Sequence, residues 1–283
     1  MMTKDYHIEH MSREEVNLAV QWAANEGWNP GINDAMCFYQ TDPHGFFAGK
    51  LNGKIIAVGS AVIYDEHFAF CGFYIVDKGY RGQGCGLELT QARLAYIGQR
   101  NAGIDGVMDM LDKYARLGYQ FAYNNARYTL DKLPHQNVAD DWIIPVEQIN
   151  FSQLCAYDRL HFPAPRPQFL KCWVQQKNSL ALGYVQEGHL KGYGVIRTCQ
   201  QGFKIGPLFA NTPEIANILF YKLAQYAKGQ VIFLDIPENN PLAVQLTRYY
   251  QMKQVFATAR MYLRGEPQVA MEHIYGITTF ELG

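Results

Sequence analysis

The residues whose spacing most directly implies chemistry are Tyr80-Arg81-Gly82-Gln83-Gly84-Cys85-Gly86. Three glycines at alternate positions keep side chains off the backbone amides and allow left-handed turns at little cost. The apolar run Phe68-Ala69-Phe70-Cys71-Gly72-Phe73-Tyr74-Ile75-Val76 precedes them, and residues 87–97 follow with helical character. A buried strand thus feeds a glycine turn that opens a helix. Amides at a helix N-terminus, backed by the macrodipole, favour an anion, and the arrangement suits phosphate. A P-loop would need GxxxxGK[ST], which does not occur. A dinucleotide fingerprint would need GxGxxG after the first strand of a parallel βαβ unit, but here the spacing is GxGxG behind antiparallel strands.

The surrounding elements follow from pattern. Ser12-Arg13-Glu14-Glu15 has capping-box form, with Val16, Ala19, Val20 and Ala23 as the apolar stripe of a helix ending near Gly27. Trp28, Asn29 and Asp34 lie in an aromatic-rich turn before a short helix. They are candidates for a substrate mouth, with a packed interhelical loop as the alternative. Strands are expected over residues 45–51, 54–64 and 68–76, the first two joined by the Asn52-Gly53 hairpin signal. After the glycine turn come a strand near 103–108, a helix over 109–117 and a strand over 119–130. A polar, proline-containing stretch over 130–145 marks a boundary, giving domains 1–135 and 136–283. Beyond it the order of elements repeats at an offset of roughly 135 residues, as expected for a duplicated unit.

The chain has 283 residues, 48% of them hydrophobic, and a net charge of -1, which gives no field for nucleic acid or anionic lipid. No apolar run approaches the roughly 20 residues that span a bilayer, and the N-terminus lacks an apolar signal core. The expectation is a cytoplasmic protein with no membrane or nucleic-acid partner. Six scattered cysteines without CxxC spacing are expected to be reduced thiols, and the histidines show no metal-ligand spacing.

Taken with its meander before and Tyr114-Ala115-Arg116-Leu117-Gly118-Tyr119 after, the glycine turn resembles the acetyl-CoA motif of the GNAT N-acetyltransferase superfamily. The whole chain is also similar to tandem bacterial GNAT proteins with a degenerate second domain. Glu26-Gly27-Trp28-Asn29-Pro30-Gly31, Lys204-Ile205-Gly206-Pro207-Leu208-Phe209-Ala210 and Tyr275-Gly276-Ile277-Thr278-Thr279-Phe280-Glu281-Leu282-Gly283 carry that likeness. The implied fold is α+β: two acetyltransferase-like domains, each a mixed, mainly antiparallel sheet flanked by helices.

The resemblance implies acetyl-CoA as co-substrate and no metal. Its pyrophosphate would sit on the amides of Gln83, Gly84, Cys85 and Gly86, with Gly82 shaping the turn and Arg81 adding charge or fixing it. Pantetheine would pair with backbone near Ile75 and Val76, where an N–H could serve the oxyanion. Tyr114 would be the general acid to the thiolate. The reaction implied is transfer of an acetyl or other acyl group to an amine, expected to belong to a small molecule. A non-catalytic acyl-CoA-binding regulator and a protein N-acetyltransferase are the alternatives, and a homodimer is left open.

Two departures stand out. Family members often carry a glutamate on the strand before the turn, but residues 70–74 offer no carboxylate. Glu66, Asp65, Asp34 or a water chain remain as proton acceptors. The asparagine common before the catalytic tyrosine is also missing, with Asp109 nearby. In the second half the glycine turn is replaced by Phe209-Ala210-Asn211-Thr212-Pro213-Glu214, where Pro213 lacks an N–H and Glu214 repels phosphate. One site per chain is expected, with Arg166, Tyr193 and Arg197 as further pocket candidates for which packing is the simpler role.

Overall fold

In a computed structural model, residues 5–138 and 141–283 are described. Met1 to Lys4 of the N-terminus, and Ala139 and Asp140 of the polar linker, lie outside the described residues. The first half contains β1 (Tyr6–His10), α1 (Arg13–Asn25), α2 (Asp34–Thr41), β2 (Phe46–Leu51), β3 (Lys54–Ile63) and β4 (Phe68–Val76). It continues with α3 (Cys85–Ile97), β5 (Asn101–Val107), α4 (Leu111–Arg116) and β6 (Gln120–Leu130). The second half repeats the plan with β7 (Ile143–Pro145), α5 (Phe151–Arg159), α6 (Pro167–Trp173), β8 (Ser179–Gln186), β9 (His189–Thr198) and β10 (Phe203–Ala210). Then follow α7 (Pro213–Gln225), β11 (Ile232–Pro237), α8 (Pro241–Tyr249), β12 (Lys253–Tyr262) and β13 (Ile274–Gly276). The expected mixed, mainly antiparallel architecture flanked by helices is what forms.

Local chemistry sets the helix starts. Ser12 and Glu15 close a reciprocal capping box on α1. Asn240 caps α8 through the amides of Leu242 and Ala243. The short strands β1, β7 and β13 were not expected. They are three to five residues long and owe their extended form to tertiary pairing rather than to apolar alternation of their own.

The strands of both halves join one sheet in the order β1-β2-β3-β4-β5-β12-β6-β11-β10-β9-β8-β7, with β13 added to β10. The last strands have changed places: β12 of the second half lies against β5, and β6 of the first half lies against β11. Each exchanged strand carries a buried arginine that forks onto an aspartate of the neighbouring strand. Arg127 on β6 meets Asp235 on β11 at 2.7 and 2.8 Å, and Arg260 on β12 meets Asp105 on β5 at 3.0 and 2.7 Å. Such a bidentate pair is geometrically demanding, and removing one partner strands a buried charge at a cost of about 3–5 kcal/mol. The pairs therefore hold the exchanged register.

The halves share a core. Phe38 and Phe73 of the first half pack in one cluster with Trp173, Tyr193 and Phe280 of the second. Helices α2 and α6 meet at this seam, where Cys37 and Cys172 form a disulfide. The expectation of reduced thiols is thus corrected for these two, while Cys71, Cys85, Cys155 and Cys199 are not disulfide-bonded. The two partners are 135 residues apart, which matches the repeat offset, so equivalent positions of the duplicated unit meet across the seam. No local cysteine spacing could announce that pairing.

The C-terminal tail crosses both halves. Strands β10 and β11 pair in parallel only over Phe203–Ile205 and Ile232–Leu234. Beyond that, β13 pairs with Leu208 and Phe209, and the Ile277 amide donates to the Asp235 carbonyl of β11. The gap between β10 and β11 is thus filled by the chain's own strand. The tail then continues into the first half, where the Tyr64 hydroxyl donates to the Leu282 carbonyl. Among the described residues no helix is long and apolar enough to cross a membrane.

Candidate functional site

In the first half the equivalent gap is open. Strands β4 and β5 pair in parallel only where Phe68, Ala69 and Phe70 meet Asn101, Ala102 and Gly103, and then they separate. Past that point, between β4, β5, α3 and α4, lies a cavity of 310 Å³. Its wall includes Cys71 to Tyr74 of β4, Asp105 and Val107 of β5, Thr90 and Arg93 of α3, and Tyr114 of α4.

A bulge shapes the β4 side. Val58 pairs with Ile75 and Ser60 with Gly72, so Gly59 of β3 faces both Phe73 and Tyr74. Phe73 takes a left-handed φ of 49°, uncommon for an aromatic residue, while its buried ring packs 5.6 Å from Phe38. The bulge bends β4 where it leaves β5. Arg93 braces it, donating to the carbonyls of Ser60 at 2.7 Å and Gly72 at 3.3 Å.

The glycine turn stands at the N-terminus of α3. Gly82 and Gly84 have φ of 77° and 92°, and a Cβ on either would meet open space. Gly84 is the N-cap and supplies no side-chain cap, whereas in the second half Thr212 caps α7 through the Ile215 amide. Gly86 serves packing: a Cβ there would run into the Tyr74 hydroxyl. Arg81 donates to the Val76 carbonyl and to Glu26, both at 2.8 Å, tying the turn to β4 and to the end of α1. Gln83 reaches back to the Gly79 carbonyl, and the Cys85 carbonyl accepts from Tyr6. Ile75 is a buried core residue and Val76 is half-buried on the same strand.

Tyr114 lies half-buried at the other side of the cavity, its ring against Gly106, where a Cβ would come within 2.8 Å of it. Burial raises its phenol pKa, opposed by the Arg93 charge. A neutral phenol is what a proton donor requires.

Of the substrate candidates in the aromatic turn, Trp28 lines the cavity. Asn29 is tied at both ends of its amide to the Gln201 backbone. Asp34 is fully buried, accepting from the Gly31 amide and from Arg197 at 2.9 Å. Both therefore join the halves rather than line the cavity. Asp65 accepts from the amides of His67 and Phe68 in its own turn, and Glu66 is exposed beside His67. Arg166 and Tyr193 both bond Asp158 in the second-half core.

A lining residue that sequence reasoning missed is Glu281, from the C-terminal tail. The tail backbone passes so close to β4 that a Cβ on Gly72 would fall 2.1 Å from the Glu281 carbonyl. Its carboxylate is buried, and neither oxygen has a hydrogen-bond partner among the described residues. Burial raises its pKa, with Lys204 and Arg127 opposing. Lys204 is shifted the other way, its pKa lowered by burial and by Arg127. The only sequence signal was a lone acid in an apolar C-terminus, more than 200 positions from β4.

Comparison with known proteins agrees with this fold. Residues 12–119 match the model of the acetyltransferase (GNAT) family, and residues 154–276 match that of an acetyltransferase (GNAT) domain. A holothin acyltransferase from Pseudoalteromonas sp. (strain SANK 73390) is 29% identical over 274 residues, covering 96% of this chain and 92% of that one. A provisionally assigned acetyltransferase from Pyrococcus horikoshii superposes with a TM-score of 0.85 at 21% identity, over 100% of this chain and 98% of the other. A tandem GNAT protein from the clavulanic acid biosynthesis pathway does so with a TM-score of 0.65 at 13% identity, over 91% and 98%.

Proposed function

This chain belongs to the GNAT acyltransferase superfamily as two such domains in tandem, and we propose that its first half is an acetyl-CoA-dependent N-acetyltransferase for a small-molecule amine. The observation that carries the proposal is one cavity bounded by the α3 helix that follows the glycine turn, by the β4 bulge and by Tyr114. The amides at the start of α3 would hold the pyrophosphate, with Arg81 bracing the turn. The parting of β4 from β5 leaves room for the pantetheine arm, and backbone at the bulge would face the thioester oxygen. Tyr114 would protonate the departing thiolate. The tail, through Phe280 and Glu281, closes part of the cavity and favours a compact acceptor over a protein N-terminus.

Among the described residues the second half has no comparable provision, because β13 fills its strand gap and Thr212 caps its helix. It serves instead to supply Phe256, Thr258, Phe280 and Glu281 to the first-half cavity.

The test is calorimetric titration with acetyl-CoA, then thiol release with a panel of amines. Acetyl-CoA should bind, and at least one amine should release thiol. Binding without release for any amine would favour the acyl-CoA-binding regulator. Gly84→Val places a β-branched residue at φ 92° and should weaken acetyl-CoA binding about tenfold or more. Unaltered affinity would remove the turn from the cofactor site.

A further inference from the structure

We propose that Arg93 receives a carboxylate carried by one of the two reactants, on the acyl group or on the acceptor amine. The assignment rests on the acyltransferase role proposed for the same cavity and names its substrate class.

Arg93 differs from the other buried arginines among the described residues. Arg127 meets Asp235, Arg166 meets Asp158, Arg197 meets Asp34 and Arg260 meets Asp105. Arg93, only 6% exposed, meets no carboxylate among the described residues. Its Nε donates to the Ser60 carbonyl and its Nη2 to the Gly72 carbonyl. Its Nη1 has no hydrogen-bond partner among the described residues, yet it is not sealed off as the Nη1 atoms of Arg166 and Arg197 are. Arg93 stands in the cavity wall, so the free N–H groups open onto the cavity.

A guanidinium is a permanent cation, and two backbone carbonyls do not neutralise it. The face of Tyr74, 5.6 Å away, offsets part of the charge. Burying a cation without a counter-charge is costly, so a ligand is the natural source of one. The wall does not supply it. Its carboxylates are engaged elsewhere: Asp105 holds Arg260, and Glu281 sits in a buried cluster with Lys204, Arg127, Arg197 and Asp34. Lys113 and Arg116, exposed on α4, add further positive charge to the wall. The cavity therefore favours an anionic group.

The surroundings hold Arg93 in place. Gly59 leaves room for its stem, since a Cβ there would come 2.9 Å from the Arg93 Cδ. The bond to Gly72 sets the guanidinium beside the β4 bulge, which the proposed reaction places next to the thioester. Its charge also reaches the far wall: burial raises the phenol pKa of Tyr114 and Tyr119, and Arg93 opposes the rise. A carboxylate on Nη1 would thus lie close to the reacting bonds. A short dicarboxylic acyl chain or an α-amino acid acceptor could each bring it there.

Two matched pairs of probes separate these sources, titrated by calorimetry into the full chain. Succinyl-CoA and butyryl-CoA share a four-carbon acyl chain and differ in the terminal carboxylate. L-Phenylalanine and phenethylamine differ in the α-carboxylate alone, and are titrated with and without coenzyme A. In the wild type the carboxylate member of one pair should bind at least about tenfold tighter than its neutral partner. Arg93→Gln keeps a donor for the bulge carbonyls but loses the charge, and should reduce that preference to within about twofold. Arg93→Lys keeps the charge and should retain part of it, which a purely bracing role would not require. Preference within the acyl pair identifies the acyl group as the source, and preference within the amine pair identifies the acceptor. No preference in either pair in the wild type would overturn the proposal, whether or not Arg93→Gln folds. An undiminished preference in a folded Arg93→Gln would do the same. If the amine pair shows an Arg93-dependent preference but neither acyl-CoA binds, the acyltransferase reading fails and the carboxylate site stands.

Discussion

Replacing Gly72 with alanine tests how closely the C-terminal tail must sit on β4. An ideal Cβ at position 72 lies 2.1 Å from the Glu281 carbonyl oxygen, 3.0 Å from its carbon and 3.2 Å from its Cα. Real Cβ contacts essentially never fall below 3.0 Å, so the tail must retreat by roughly 1 Å. It cannot swing away freely. Tyr64 holds the Leu282 carbonyl at 2.8 Å, Thr279 holds the Leu282 amide at 2.8 Å, and Arg166 reaches Thr278 at 3.0 Å. Displacement therefore falls on Glu281 and its immediate neighbours. Overpacking of this kind costs about 1–3 kcal/mol of stability, and a shift of about 1 Å in the cavity wall beside the bulge can cost about a hundredfold in rate. Gly72→Ala should lower kcat/KM by about 10- to 100-fold in a thiol-release assay, while acetyl-CoA affinity stays within about twofold. Thermal unfolding would confirm a folded variant. A folded Gly72→Ala with wild-type turnover would refute the requirement for the tail at β4.

Tyr114→Phe should lower turnover by about a hundredfold with little change in acetyl-CoA affinity, since only the proposed proton donor is lost; full activity by thiol release would remove Tyr114 from the mechanism. Buried His161 gives Nδ1–H to the Tyr157 carbonyl, and burial lowers its pKa from 6.5 to about 4. Between those values the unfolded chain binds more protons, so stability should rise with pH from about 4 to 6.5, by about 3 kcal/mol in all. His161→Leu should flatten that slope in urea denaturation measured across the window, and an unchanged slope would assign it to other groups.

Much of the site was legible in sequence because it is local. The glycine turn, the helix it opens and Tyr114 depend on spacing within about 35 residues, and spacing is what a sequence displays. The repeat offset was equally visible, as was the loss of the turn in the second half. What only the tertiary structure decided involves contacts between distant segments: the exchanged strands β6 and β12, the Cys37–Cys172 disulfide, the withdrawal of Asn29 and Asp34 into the seam, and β13 in the second gap. Pairing between distant segments leaves no local pattern, because side chains many tens of positions apart obey no common period. The glycine turn therefore pointed to an acyl-donor side from sequence alone, while the part the tail plays in the cavity wall became visible only when it returned to Gly72.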